Sequence, residues 1–181
     1  MRTFTQVVEP DYYRKFRCIA AACPDSCCIG WDVAIDKTSF DRYQACKDSF
    51  LQPLLQQHIT LNKEPAGGSD YIPYALIKRT AARCPFLEQE GLCLIQSRLG
   101  ESALSATCTN FPRNYNAVDG VLERSLFVSC PEAARLILLN DAALQFCVRE
   151  EEITLPAESI DSLDTTSDEA DKPFRHFLPI R

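Results

Sequence analysis

Hydrophobic and polar positions alternate most clearly after Trp31. Residues 31–35 read as a short strand, and Asp36-Lys37-Thr38-Ser39 reads as an N-cap opening a helix. Phe40, Tyr43, Cys46, Phe50 and Leu54 then recur three or four apart, which predicts an apolar helix face packed on the core. Pro53 kinks that helix or starts a second one, and residues 64–69 form the clearest interior loop. Residues 84–87 and 92–95 flank Glu88-Gln89-Glu90-Gly91 as a short hairpin with a cysteine on each arm. Residues 102–107 predict a helical turn ending near Cys108. Residues 114–118 and 121–128 bracket Asp119-Gly120, the strongest hairpin signal in the chain. Ser129 or Cys130 caps a last helix with Pro131 at its first position and Glu132 in its first turn, running through Leu139 and mostly buried.

These elements predict an α+β fold, mainly helical and loop-rich with short β-hairpins, organised around a cysteine-ligated metal centre. Residues 1–149 form that domain. Residues 150–172 lose apolar periodicity in a Ser/Thr/Asp/Glu run and read as an acidic, solvated linker. Residues 173–181 regain large apolar side chains and read as the start of a C-terminal region that the sequence cuts short.

The charge follows the same division. The net charge is −6, and residues 150–181 hold 9 acidic against 3 basic side chains, so the rest of the 181-residue chain is neutral. No basic stripe is available to follow a phosphate backbone, which sets nucleic acid aside. Residues 1–17 lack the apolar run of a secretory signal, and no apolar stretch is long enough to span a bilayer, so a cytoplasmic location away from membranes is expected.

Ten cysteines in reducing cytosol point away from disulfides and toward metal ligation or redox chemistry. Cys18, Cys23, Cys27 and Cys28 form one group; Cys84, Cys93, Cys108 and Cys130 form a second, each beside proline or a turn. Thiolates are soft ligands suited to zinc or an iron-sulfur cluster. In extended chain Cys27 and Cys28 face opposite ways and would serve different sites or metal atoms. Cys46 and Cys147 fit core packing. No C-x2-C knuckle occurs, and the irregular spacing favours iron-sulfur, of the 4Fe-4S type, over zinc. A radical S-adenosylmethionine motif, C-x3-C-x2-C, fails at Gly30. The six glycines never form G-x-G-x-x-G, so no Rossmann site is expected.

Several segments resemble the flagellin lysine-N-methylase family (FliB type) and its wider relatives with a zinc- or iron-chelating cysteine cluster. They include Phe16-Arg17-Cys18, Cys23-Pro24-Asp25-Ser26-Cys27-Cys28-Ile29-Gly30-Trp31, Cys84-Pro85-Phe86-Leu87 and Gly91-Leu92-Cys93. Leu104-Ser105-Ala106-Thr107-Cys108, Phe111-Pro112-Arg113 and Ser129-Cys130-Pro131-Glu132 follow in the same order. The resemblance implies methyl transfer from S-adenosylmethionine to lysine side chains of flagellin. It also implies a cysteine-bound cluster framed by Cys18, Cys23, Cys27, Cys28, Cys84, Cys93, Cys108 and Cys130, and a longer family chain of which this is an amino-terminal part. A non-catalytic iron- or zinc-binding protein is the alternative, and a purely structural metal a third.

Methylating lysine needs a carboxylate to hold the ammonium and accept its proton, for which Asp32, Asp36 and Glu123 are candidates, though each also suits a cap or a cross-strand pair. No catalytic residue is assigned. Trp31 is expected to shield the cysteine site from water, His58 to lie on a helix face or in the core, and Arg113 to neutralise cluster charge or pair at the surface.

Overall fold

The Asp119-Gly120 signal is realised in the computed structural model, which describes residues 1–63, 73–155 and 160–165. Both residues have positive φ, +51° and +84°, the backbone a two-residue hairpin turn requires. Among the described residues the chain forms β1 (Arg2–Pro10), β2 (Val33–Ile35), α1 (Lys37–Gln44), α2 (Leu51–His58), β3 (Ile59–Leu61) and β4 (Ala75–Ile77). Then come α3 (Leu94–Leu99), α4 (Ala106–Asn110), β5 (Arg113–Val118), β6 (Val121–Leu126), α5 (Pro131–Leu138), β7 (Phe146–Leu155) and β8 (Asp161–Leu163). No helix among them is long and apolar enough to cross a membrane. The expected loop at 64–69 lies outside the described residues.

Two compact units divide the chain. One takes residues 1–16, 112–128 and 133 onward; the other takes 17–111 and 129–132. The first is built on a five-stranded sheet in the order β7-β1-β6-β5-β8. β1 runs antiparallel to β7 and parallel to β6. Phe4, Val7, Ala117, Leu122 and Ile160 fill its core, with Ile153 and Leu155 packed against them. Above the same sheet Glu9 is buried to 1% exposure and meets the guanidiniums of Arg14, Arg124 and Arg149 at 2.5, 2.9 and 2.6 Å. Glu151 on β7 accepts from Arg14 and Arg124, both at 2.7 Å. The network therefore ties β1, β6 and β7 together through charge.

The fold is α+β, but not mainly helical. No α-helix among the described residues exceeds eight residues, while β1 and β7 have nine and ten. β1 gives no sequence signal because its register shifts between Phe4 and Gln6, so its inward residues break the two-residue period. The acidic stretch also departs from a solvated linker, since residues 150–155 lie in β7 and 161–163 in β8. Pairing with β1 and the arginines on Glu151 supply what its composition hides.

In the second unit β2-β4-β3 form a small antiparallel sheet. Tyr43, Leu51 and Leu55 from α1 and α2 pack with Ile35, Ile77 and Phe86 in its core. The apolar stripe of residues 40–54 is realised as two helices. Asp48 accepts the amides of Phe50 and Leu51 at 3.0 and 2.8 Å, opening α2 ahead of Pro53. That break turns Phe50 outward to 55% exposure. The predicted helix at Pro131 is present, yet its end is not buried: Leu138 and Leu139 are 69% and 74% exposed.

Glu9→Ala should destabilise the chain by about 3 kcal/mol, the lower end for breaking a buried ion pair because Arg14 and Arg149 can turn to water. Lys37→Ala, which removes an exposed pair with Asp41, should cost about 0.5 kcal/mol or less. Urea denaturation of both variants measures the contrast, and equal losses would contradict it.

Candidate functional site

Cys27, Cys28, Cys84, Cys93 and Cys108 come together in the second unit. An antiparallel bridge pairs Ile29 with Arg83. The Cys84 amide donates to the Cys28 carbonyl at 2.8 Å, and the Gly30 amide to the Ala82 carbonyl at 3.0 Å. This crossing sets Cys28 beside Cys84. The thiols are coupled in sequence, Cys27 to Cys28 and Cys28 to Cys84. Residues 27–28 form a turn rather than the extended chain assumed from sequence, and the thiol of Cys27 acts directly on that of Cys28.

The predicted hairpin delivers Cys84 and Cys93, with Leu87 bridged to Cys93 and Gly91 at φ +79° closing the turn. Its second arm is short, because Leu94 starts α3 immediately after Cys93. Cys108 arrives differently from expectation. The helical turn is displaced: residues 101–103 make a 3-10 turn, and Ser105 caps α4, accepting the Cys108 amide at 3.4 Å. Asp36 joins two helix starts, accepting from Ser39 N–H at 2.8 Å and from Ala106 N–H at 3.0 Å. It is a positioning cap in this geometry, as its N-cap signal predicts. Burial works to raise the Asp36 pKa, but the amides of Ala106 and Ser39 more than offset it and hold the carboxyl below its ordinary range.

One feature of this frame carries no sequence signal. Thr80 and Arg83 exchange two backbone hydrogen bonds of 3.0 Å across a turn whose central residues, Ala81 and Ala82, have φ +49° and +66°. Glycine or asparagine is the usual occupant there, and alanine is strained. The strained turn lies directly before Cys84.

The sulfurs are electrostatically coupled. Cys28 feels an opposing pull from the Cys27 hydrogen bond, but its bond to Cys84, burial, and Cys84 and Cys93 push its pKa up to about 12. Burial pushes Cys108 up to about 11, with Cys93 and Cys27 adding to it. Cys93 is raised by burial against the amides of Gln96 and Ile95. The hydrogen bond from Cys28 lowers Cys84, which makes it the favoured first thiolate of the group. Tyr43, 1% exposed, donates to the Ala103 carbonyl at 2.9 Å and is raised by burial and by Cys108 and Cys93. Its apolar helix position concealed this place beside the sulfurs.

Cys18 and Cys23 flank a 3-10 turn at Ala20–Ala22, exposed and half-buried respectively, and Cys130 is buried in the same unit. Cys46 is a core residue, and Cys147 lies on β7. Asp32 pairs with Arg79 at 2.8 Å, and Glu123 lies on β6 opposite Asn116. His58 ends α2 with its ring edge-on to Phe86, 6.3 Å away, and Arg113 stacks on Phe16 at 5.4 Å. Trp31 remains 36% exposed, donates its indole N–H to the Cys27 carbonyl at 2.6 Å and lies 5.6 Å from Phe111. It thus fixes the first cysteine segment while covering it only in part. Among the described residues, no three His, Cys, Asp or Glu side chains are spaced to hold a metal ion. The five sulfurs match zinc or an iron-sulfur cluster in donor type, not in spacing.

The chain is 37% identical over 140 residues to the lysine-N-methylases of Salmonella typhimurium and Salmonella choleraesuis, matches that take in 76% of this chain and 34% of each relative. It is 36% identical over 140 residues to the flagellar biosynthetic protein FliU of Salmonella muenchen, over 76% of this chain and 80% of that one. The chain thus spans about a third of the length of the lysine-N-methylases it matches. No protein-family model and no solved structure matches it.

Only thiolate is nucleophilic, so Cys28 and Cys108 in metal-free protein should alkylate at least about tenfold more slowly than free cysteine near pH 8.5. The gap should narrow as pH rises toward 11, which peptide mapping after iodoacetamide would measure. Replacing Ala81-Ala82 by Asn-Gly should stabilise the chain by about 1–2 kcal/mol through relief of the left-handed backbone. An unchanged thermal midpoint would mean that the turn stores no strain.

Proposed function

Since this chain belongs to the family of FliU and the Salmonella lysine-N-methylases, we propose that it takes part in methylating lysine side chains of flagellin, with S-adenosylmethionine as donor. The single observation behind this is the similarity across 76% of the chain. In this reading the protein acts in the cytoplasm, on flagellin before export. The neutral lysine amine attacks the donor methyl carbon. A nitrogen–carbon bond forms, the sulfur–methyl bond breaks with its electron pair left on sulfur, and the nitrogen's surplus proton passes to a base.

We also propose that Cys27, Cys28, Cys84, Cys93 and Cys108 hold an iron-sulfur cluster or zinc, with Cys18, Cys23 and Cys130 completing the donor set. Soft sulfurs drawn from separate segments support this. When bound, such a centre supplies concentrated positive charge that stabilises thiolates and cross-links chain segments. Around it, Asp36 holds α1 and α4, and Trp31 fixes the Cys27 carbonyl. Those residues position sulfurs; none is assigned to the transfer itself.

Labelled S-adenosylmethionine incubated with the chain and unmethylated flagellin should place label on lysines. A metal-loaded chain that labels nothing overturns the methylation reading. After anaerobic purification, a visible charge-transfer spectrum with iron, or colourless stoichiometric zinc, identifies the centre. Cys93→Ser should lose most of the metal and Cys46→Ser should keep it; equal losses would overturn the ligand set.

A further inference from the structure

A cavity of about 500 Å³ opens on the outer side of the hairpin that carries Cys84 and Cys93. Phe50, Leu54, Leu87 and Leu94 give it apolar walls, and Glu88 and Glu90 give it the only charges among its lining residues. Phe50 is 55% exposed there, an aromatic face that the break between α1 and α2 turns outward. The nearby cation is already engaged: Arg98 pairs with Asp48 at 3.0 Å and stacks on the Phe50 ring at 5.0 Å. Glu88, which accepts from the Ser97 hydroxyl at 3.4 Å, and Glu90 form the anionic side of an apolar recess. Its volume suits a small ligand or a short peptide segment.

We propose that this cavity takes a lysine side chain of a protein substrate, its methylenes along the apolar walls and its ammonium at Glu88 and Glu90. A four-carbon stem ending in a cation matches that combination. S-adenosylmethionine fits less well, because its carboxylate would find no cationic side chain on the lining to receive it. The assignment rests on the lysine-methylation reading for its substrate class, and on the lining alone for its place.

The test is calorimetric titration of the purified 181-residue chain with three probes: an otherwise uncharged peptide with a central lysine, the same peptide with Nε-acetyl-lysine, and S-adenosylmethionine. The lysine peptide should bind at least tenfold more tightly than the acetylated one. Glu88→Gln/Glu90→Gln should weaken it by a similar factor without changing metal content or thermal midpoint. Phe50→Ala, on an exposed site, should weaken both peptides alike. Equal affinity for the two peptides, an unaffected double variant, or displacement of the lysine peptide by S-adenosylmethionine overturns the assignment. A chain that binds lysine in this way but transfers no methyl group would refute the enzymatic reading while leaving the cavity's role intact.

Discussion

Keeping five sulfurs close together within a small unit is the constraint on which the rest of that unit depends. The elements that bring them are short: α3 has six residues, α4 has five, and each strand of the local sheet has three. Helices of that length do not persist alone in water. Their stability comes from Tyr43, Leu51, Leu55 and Phe86 packed beneath them and from the sulfur contacts above. Thiol–thiol hydrogen bonds are weak, and burial opposes ionising Cys28 or Cys108. A thiol ladder therefore holds the segments loosely. In the proposed reading a bound cation would reverse this balance, because each thiolate it stabilised would tie one more segment to a common point.

The other unit solves the same problem without sulfur. Its long strands satisfy their backbone groups within one sheet, and its buried carboxylate faces three guanidiniums. Arg124 is the central member, 10% exposed, ion-paired with Glu9 and Glu151 and stacked 5.1 Å from the Tyr13 ring. A buried pair of this kind adds little net stability, but it fixes register, since a slipped β1 would leave Glu9 charged and unpaired.

Legibility followed the range of the signal. Asp36, Asp119-Gly120 and Pro131-Glu132 work within one turn of chain, and each is found where its residues predict. Spacing alone did not show which cysteines meet: Cys27, Cys28, Cys84, Cys93 and Cys108 come together from segments far apart in sequence. The bridge between Ile29 and Arg83 that sorts them spans more than fifty residues and rests on a turn of two alanines. β1 and β7 were hidden for related reasons: one carries a bulge that breaks its period, and the other carries an acid, Glu151, whose partners Arg14 and Arg124 are distant in sequence. Tyr43 read only as part of an apolar stripe, since hydropathy does not record where a hydroxyl points.

The hairpin of residues 84–94 has two duties that draw on the same backbone bonds. Its sulfurs enter the cluster, while Pro85, Leu87 and Glu88 line the cavity. The Leu94 amide bonded to the Phe86 carbonyl at 2.7 Å and the Glu88 amide bonded to the Leu92 carbonyl at 2.9 Å hold both arms. Glu88 lines the cavity and accepts from the Ser97 hydroxyl on α3 at 3.4 Å, which ties the first arm to the helix that follows the second. Drawing Cys84 and Cys93 onto a common cation would remove freedom from both arms, so a ligand in the cavity would meet walls already set and lose less entropy on binding. The reverse holds with the same free energy: a side chain seated against Leu87 and Glu88 favours the arrangement of the arms that the cation needs.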